Sequence, residues 1–159
     1  MKVNKQIITT QKIDINIDQI TLLSIEEYER YEENIPPVED WWWLRSPGYN
    51  SDYAAVVSYD GSVNHYGYFV LNDCGAVRPV VILRLNLESS NLQISDKLYF
   101  AGCTWTMIAP NMALCDNSVG QTYFRKDWKA SNANNYEKSH IKKYLKTWAH
   151  DNGIIILEE

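Results

Sequence analysis

A chain of 159 residues is long enough for one compact domain and short for two. Apolar residues make up 45% and charged residues 22%, which excludes a disordered chain, so we expect a single domain over residues 1–159. The net charge of −5 argues against direct binding of nucleic acid, because neutralising phosphates requires a surplus of lysine and arginine.

The cysteines and the N-terminal segment indicate the cellular compartment of the protein. The spacing of Cys74, Cys103 and Cys115 suits neither a zinc site nor a disulfide framework, and free thiols are typical of a reducing compartment. No segment has the apolar length of a signal peptide, and no window reaches the roughly 20 apolar residues of a membrane span. We therefore expect a cytoplasmic protein, in a host cell, without membrane contact. A fragment of a longer secreted protein fits the same observations.

The first predicted elements are a strand and a short helix. Residues 12–18 alternate strictly between polar and apolar side chains, which is typical of a half-buried strand. Ser24 and Glu27 have the spacing of a capping box, which predicts a helix that starts at residue 25. Pro36 and Pro37 end this helix, because neither can donate a backbone hydrogen bond.

The next part of the chain has the composition of β structure. Segments 54–59 and 62–66 flank Asp60-Gly61, which predicts a hairpin turn with positive φ at both turn positions. The apolar run 76–85 predicts one further strand that is not an edge. Its proline lies at the strand start or at a bulge, because proline has no N–H to donate.

The second half predicts three short strands, then a helix, then a last strand. The strands cover 98–100, 104–109 and 112–114, the helix covers 140–151, and the last strand covers 154–157. Together these patterns predict an α+β fold, in which two helices pack on a twisted, mostly antiparallel sheet of short strands with long loops.

Charge is distributed unevenly along the chain. Residues 26–40 contain seven acidic residues and one arginine, whereas residues 125–146 contain seven lysines or arginines and two acidic residues. Two solvated helix faces account for this pattern. The functional alternative is that one of the segments docks an oppositely charged partner.

Several motifs together resemble a known family. The segment WWWLRSPG starts at Trp41, DGSV lies in the predicted hairpin, and GAVRPVVIL contains Arg78. This combination resembles an uncharacterised domain family of Firmicute and phage proteins, whose hallmarks are WWLRSPG, DGSV and a closing GVRPAL strand. LLSIEE and NNYEKSHIKKYL also resemble parts of that family, so the resemblance covers most of the chain.

The order of these motifs departs from the family. The helix motif NNYEKSHIKKYL follows the tryptophans here, whereas it precedes them in the family. The resemblance therefore implies a circular permutation, in which residues 1–88 correspond to the family's second half and residues 92–159 to its first half. Permutation is tolerated where the native termini lie close together. The alternative is a homodimer in which half-domains are swapped between neighbouring molecules.

The tryptophan segment, the turn-rich hairpins and the arginine strand are also similar to the C-type-lectin-like fold. That fold includes formylglycine-generating enzymes and variable ligand-binding proteins diversified by retroelements. We interpret Trp42, Trp43, Arg45 and Arg78 as structural, because a guanidinium can stack on tryptophan while it binds loop carbonyls. Formylglycine-generating enzymes hold copper with two cysteines, and Cys74 has no cysteine neighbour in sequence, so that activity has no support.

No catalytic motif is recognisable, and we expect a protein that is not an enzyme and needs no cofactor, no metal and no calcium. The loops between residues 49 and 73 are instead rich in Tyr, Asn and Asp, the composition of adaptable recognition surfaces. Ordinary turn residues and strand packing are the alternative explanation. The candidate contact residues are Tyr49, Asn50, Asp52, Tyr53, Tyr59, Asn64, His65, Tyr66, Tyr68, Asn72 and Asp73.

The sequence therefore predicts a non-catalytic binding module that recognises a protein, or alternatively a small molecule, through this loop face. A function of a different class is an inhibitor of a host defence nuclease, encoded by a phage or mobile element. Such an anti-CRISPR-like protein would act by occlusion, with the acidic residues 26–40 in place of phosphates.

Overall fold

The computed structural model of the protein describes residues 7–9, 15–87 and 89–157. It contains two α-helices and short strands, and no helix in these ranges is long and apolar enough to cross a membrane. The elements in chain order are β1 (Ile7–Thr9), β2 (Asn16–Thr21), α1 (Ile25–Tyr31), β3 (Trp42–Pro47), β4 (Tyr53–Val57), β5 (Val63–Phe69), β6 (Ala76–Val77), β7 (Val80–Arg84), β8 (Lys97–Phe100), β9 (Cys103–Ala109), β10 (Met112–Cys115), β11 (Gly120–Gln121) and α2 (His140–Asp151).

The strands form two sheets, where the sequence predicted one. The six-stranded sheet has the order β1-β8-β9-β10-β7-β2, and the five-stranded sheet has the order β11-β6-β3-β4-β5. Neighbouring strands are antiparallel except for the pairs β1–β8 and β3–β6. The predicted α+β fold of two helices and mostly antiparallel short strands is thereby confirmed.

The run 76–85 is divided between the two sheets, so the prediction of one strand is wrong. β6 pairs with β11 and β3, whereas β7 lies between β10 and β2. Pro79 occupies the break directly before β7, where its missing N–H costs no ladder hydrogen bond. Arg78 therefore lies where the chain passes from one sheet to the other, and it is 1% exposed.

Both helices begin at the predicted caps. The Ser24 hydroxyl accepts a hydrogen bond from the Glu27 N–H at 3.1 Å, and the Glu27 carboxylate accepts one from the Ser24 N–H at 2.9 Å. The Ser139 hydroxyl accepts from the Lys142 N–H at 3.1 Å at the start of α2. Gly153 follows the end of α2 with φ +75°, in the left-handed region that ends helices.

The β4–β5 hairpin closes through three residues, so the predicted two-residue turn is wrong. The Gly61 N–H donates to the Ser58 carbonyl at 2.8 Å, and the Ser58 N–H donates to the Ser62 carbonyl at 2.7 Å. Gly61 has φ +86°, and Asp60 is not among the described residues with positive φ. The Asp60 carboxylate accepts hydrogen bonds from the Ser62 N–H and hydroxyl at 3.0 and 2.6 Å, which favours this turn over the two-residue form.

The ends of the chain deviate from the predictions in two further ways. Residues 12–14 of the first predicted strand lie outside the described ranges, and β2 begins later, at Asn16. The predicted last strand is wrong, because Ile156 forms only an isolated bridge with Ile17. Ile155 is 78% exposed, whereas Ile154 and Ile156 are partly buried against a core cluster that contains Ile17. The three predicted strands between residues 98 and 114 are confirmed as β8, β9 and β10.

The two helices cover opposite faces of the five-stranded sheet. Trp42 of β3 packs in a core cluster with Tyr28 of α1, whereas the adjacent Trp43 packs in a second cluster with Leu145 of α2. Successive side chains of a strand point to opposite faces, so β3 separates the two clusters. A third cluster around Trp105 belongs to the six-stranded sheet.

Candidate functional site

β5 contains a bulge that disturbs its pairing with β4 around residues 65–67. Gly67 has φ +83°, and its N–H donates to Asn64 Oδ1 at 3.0 Å. A Cβ atom at Gly67 would lie 2.2 Å from the Ala54 carbonyl oxygen, so the position requires glycine. Such bulges redirect neighbouring side chains, and the two residues before Gly67 are exposed.

Five aromatic side chains form a continuous row over this hairpin, and we call this row the aromatic strip. The rings of Tyr49 and Tyr66 stack with centroids 4.9 Å apart and planes 6° apart. Tyr53 meets Tyr66 edge to face at 5.4 Å and contacts Phe69 at 6.1 Å. Phe69 in turn contacts Trp128 at 5.3 Å. Tyr49 and Tyr66 are 73% and 53% exposed, so the stacked pair faces solvent.

The loop that carries Tyr49 is fixed by backbone hydrogen bonds. The Gly48 N–H donates to the Tyr53 carbonyl at 2.7 Å, and the Tyr49 N–H donates to the Tyr66 carbonyl at 2.8 Å. The Asn134 side-chain amide donates to the carbonyls of Asn50 and Tyr53, both at 3.0 Å. The stacked rings therefore stand on a backbone that is already ordered, which lowers the entropy lost on binding.

The structure brings together some of the predicted contact residues. Tyr49, Tyr53 and Tyr66 belong to the strip, and Asn50 lies in the loop beside it. His65 is exposed in the bulge of β5. Phe69 and Trp128 are not among the predicted contact residues. Trp128 comes from a distant polar segment, and only the fold brings it to Phe69.

Other predicted contact residues lie elsewhere. Tyr68 is half-buried, and its ring meets Trp41 at 4.6 Å instead of the strip. Tyr59 stands 74% exposed at the hairpin turn, at the other end of β4 from the Tyr49 loop. Asn72 and Asp73 lie in the loop before β6, where Asn72 Oδ1 accepts a hydrogen bond from the Cys74 N–H at 3.0 Å.

Two further candidates, Asp52 and Asn64, accept hydrogen bonds from backbone N–H groups of the same hairpin. The Asp52 carbonyl accepts a hydrogen bond from the Val70 N–H at 2.9 Å, and Asp52 itself is half-buried. The side-chain oxygen of Asn64 is occupied by the Gly67 N–H and is half-buried. Both residues support the loops around the strip.

The residues interpreted as structural join β3 to its surroundings. The Trp43 indole N–H donates to the Thr122 carbonyl at 2.9 Å, and Trp43 is fully buried. The Arg78 guanidinium lies 5.0 Å over the ring of Trp42. Arg45 donates to the Leu22 carbonyl at 2.7 Å and forms an ion pair with Glu27.

The ion pair with Arg45 controls the titration of Glu27. Burial alone would raise the pKa of Glu27, but the hydrogen bond and charge of Arg45 outweigh it and hold the pKa below its ordinary value of 4.5. A carboxyl with a lowered pKa stabilises the folded state above its ordinary pKa and loses this contribution as the pH falls.

We expect E27Q to lower the free energy of unfolding by about 1 kcal/mol at neutral pH, because glutamine keeps the capping box but loses the ion pair. The difference from wild type should shrink as the pH falls below 4.5, where the wild-type carboxyl also loses its charge. Urea denaturation across this pH range measures it. E26Q, in the same helical turn but exposed, is the control, and equal pH profiles for the two variants would contradict the prediction.

The side chains of Cys103 and Cys115 lie within hydrogen-bonding reach of each other, whereas Cys74 lies in the loop before β6. The three cysteines are free, with Cys74 exposed and Cys115 buried. The hydrogen bond to the Asp73 carboxylate, followed by its charge, raises the pKa of Cys74, the reverse of an activated thiol. Nδ1 of His140 accepts a hydrogen bond from the Lys126 N–H at 3.0 Å, which places this histidine in a loop contact.

Comparison with known proteins gives one partial match. The family described as "Domain of unknown function (DUF6273)" matches residues 18–85, which contain the tryptophan segment, the hairpin and Arg78. No curated protein and no solved structure matches the chain. The matched stretch does not reach residues 92–159, so the predicted permutation stays a prediction.

Proposed function

We propose that the protein is a non-catalytic binding module that holds a protein partner on the aromatic strip. The observation that carries the proposal is the stacked pair of Tyr49 and Tyr66, which is exposed to solvent on a loop with a fixed backbone. Tyrosine offers a large contact area with few rotatable bonds, and an ordered loop loses little further entropy on binding. Asn50 and His65 beside the strip supply exposed hydrogen-bonding groups.

The proposal includes a C-type-lectin-like fold and a place in the cytoplasm. The antiparallel short strands, the buried tryptophans of β3 and the exposed loops are compatible with such a fold. Function in that architecture would depend on loops held by a rigid scaffold, as the loop of Tyr49 is held here. Two proposals explain why the motifs occur in the reversed order. In one the chain is circularly permuted, and in the other half-domains are swapped between the two molecules of a homodimer.

A rival proposal uses another surface. The acidic residues around α1 are largely exposed, and α1 lies on the face of the five-stranded sheet opposite α2. A host defence nuclease could be occluded by this face through charge complementarity with its nucleic-acid channel. The strip and the acidic face are separate surfaces, so substitutions distinguish the two proposals.

The test is affinity capture from a lysate of the host cell. We expect proteins captured by the wild type to be lost with the double variant Y49S/Y66S, because the stacked pair is removed. Y99S is the matched control, since Tyr99 is 47% exposed on a strand of the other sheet. Thermal denaturation of both variants verifies that they are folded.

Capture that is unchanged in Y49S/Y66S, or the absence of any specifically captured protein, would overturn the proposal. A second double variant, E29Q/E33Q, addresses the rival, because both carboxylates are exposed in the acidic segment. Loss of a nucleic-acid-handling partner with E29Q/E33Q alone would favour occlusion over recognition by the strip.

A further inference from the structure

Two adjoining cavities of about 420 and 340 Å³ open around Pro37 and Val38, and none of their lining residues belongs to the aromatic strip. Both are lined by Pro37, Val38, Trp42 and Arg78, and we call them together the Arg78 cleft. The larger cavity extends to the turn of the β4–β5 hairpin. Its volume is in the range of small-molecule sites.

Arg78 is a buried cation in this cleft. Its Nε donates to the Cys115 carbonyl at 2.8 Å, and its Nη2 donates to the carbonyls of Pro36 and Asp116 at 2.6 and 3.1 Å. Within the described ranges of the chain, Nη1 has no hydrogen-bond acceptor and no carboxylate lies within ion-pair distance of the guanidinium. Buried charges are ordinarily paired in direct contact, whereas the charge of Asp116 acts on this guanidinium only from beyond ion-pair distance.

The nearest anion is already engaged. The Asp116 carboxylate forms an ion pair with Lys97 at 2.9 Å and accepts a hydrogen bond from Thr106. Burial lowers the pKa of Arg78 to about 10, so the guanidinium still carries its charge at neutral pH. A ligand carboxylate would supply the missing partner, and arginine binds carboxylates well through its fork of donors.

The walls of the cleft carry the opposite charge. Glu32 and Asp60 both line the larger cavity, as do Tyr28 and Tyr59. Burial raises the pKa of Tyr28, the charge of Glu32 raises it further, the charge of Arg78 lowers it, and the charge of Asp60 raises it, so the three charged groups act on the same hydroxyl. A simple anion would be repelled by this wall. A ligand that also carries a cation would be attracted to it, with the exposed ring of Tyr59 beside the cation.

We propose that the Arg78 cleft binds a zwitterionic α-amino acid with an apolar side chain. Its carboxylate pairs with Nη1 of Arg78, and its ammonium group is held by Glu32 and Asp60. The apolar side chain contacts Ile35 and Val57, which line the same cavity. This site does not depend on the aromatic strip, so either proposal can fail without the other.

The charge requirement is tested by adding leucine to the full chain and monitoring the NMR chemical shifts of the protein. The N-acetyl and methyl ester derivatives of each amino acid that binds are then added in the same way. Valine, isoleucine, methionine and phenylalanine are titrated in parallel. We expect at least one of these amino acids to shift the resonances of the cleft. Its N-acetyl derivative lacks the cation and its methyl ester lacks the anion, so each should bind about tenfold or more weakly. The proposal is overturned if none of the amino acids shifts these resonances, or if a blocked derivative binds as well.

Variants of the acidic wall complete the test without disturbing the buried arginine. E32Q should weaken amino-acid binding about tenfold, because it removes one charge that faces the ammonium. E33Q is the matched control, since Glu33 is the exposed neighbour in the same turn and does not line the cleft. Both variants should keep the wild-type melting temperature. Equal affinity of E32Q and E33Q would contradict the assigned position of the ammonium group.

Discussion

Replacing Gly67 by alanine is expected to lower the free energy of unfolding by about 3 kcal/mol or more, a large part of the roughly 5–15 kcal/mol that stabilises an ordinary domain. The new Cβ would lie 2.2 Å from the carbonyl oxygen and 2.6 Å from the carbonyl carbon of Ala54. Both atoms belong to the backbone of β4, so no side-chain rotation relieves the overlap. The positive φ of Gly67 adds about 1–2 kcal/mol of strain for any residue with a Cβ.

Gly102 provides the matched control for Gly67. It has φ +72°, close to the +83° of Gly67, but no atom lies within 4 Å of the position of its Cβ. G102A should therefore cost only the backbone strain, about 1–2 kcal/mol. Urea denaturation of G67A and G102A separates strain from crowding. Equal losses in the two variants would contradict the close approach of the β5 bulge to β4.

The helices could be predicted because their determinants are local. Ser24 and Glu27 are three residues apart and bind each other's backbone, and Ser139 caps the turn that follows it. Neither contact requires any knowledge of distant parts of the chain. The apolar spacing of α2 likewise reports the face that packs on the sheet.

The division into two sheets could not be predicted, because it depends on distant pairings. β6 pairs with β3 and β11, and β7 pairs with β2 and β10, so the chain changes sheets within the few residues around Pro79. The sequence shows a single apolar run here. A proline at a break and a proline at a strand start have the same local signature.

The candidate surface was predicted in part for a similar reason. Composition indicated that tyrosines of the loops meet solvent, and Tyr49 and Tyr66 are exposed. Composition could not separate them from Tyr59, which lies at the opposite end of β4 in the Arg78 cleft. It also could not bring Trp128 to Phe69, since that contact depends on the packing of a distant loop.

Replacing Arg78 by methionine is expected to lower the free energy of unfolding by about 3–5 kcal/mol, because three carbonyls lose their charged donor and each such loss costs about 1–3 kcal/mol. Methionine fills a similar length over the ring of Trp42 but donates no hydrogen bond. The carbonyls of Pro36, Cys115 and Asp116 would each lose a donor, and a buried group without a partner is costly.

Arg84 is the control for this substitution, because it is also an arginine with a bound partner but lies at the surface. Its guanidinium pairs with Asp18 at 2.6 Å, and its side chain is 57% exposed. R84M should therefore cost less than about 1 kcal/mol. Denaturation of both variants by urea gives the comparison. If R78M were as stable as R84M, the three carbonyls would not depend on Arg78, and the passage between the two sheets would be held by other contacts.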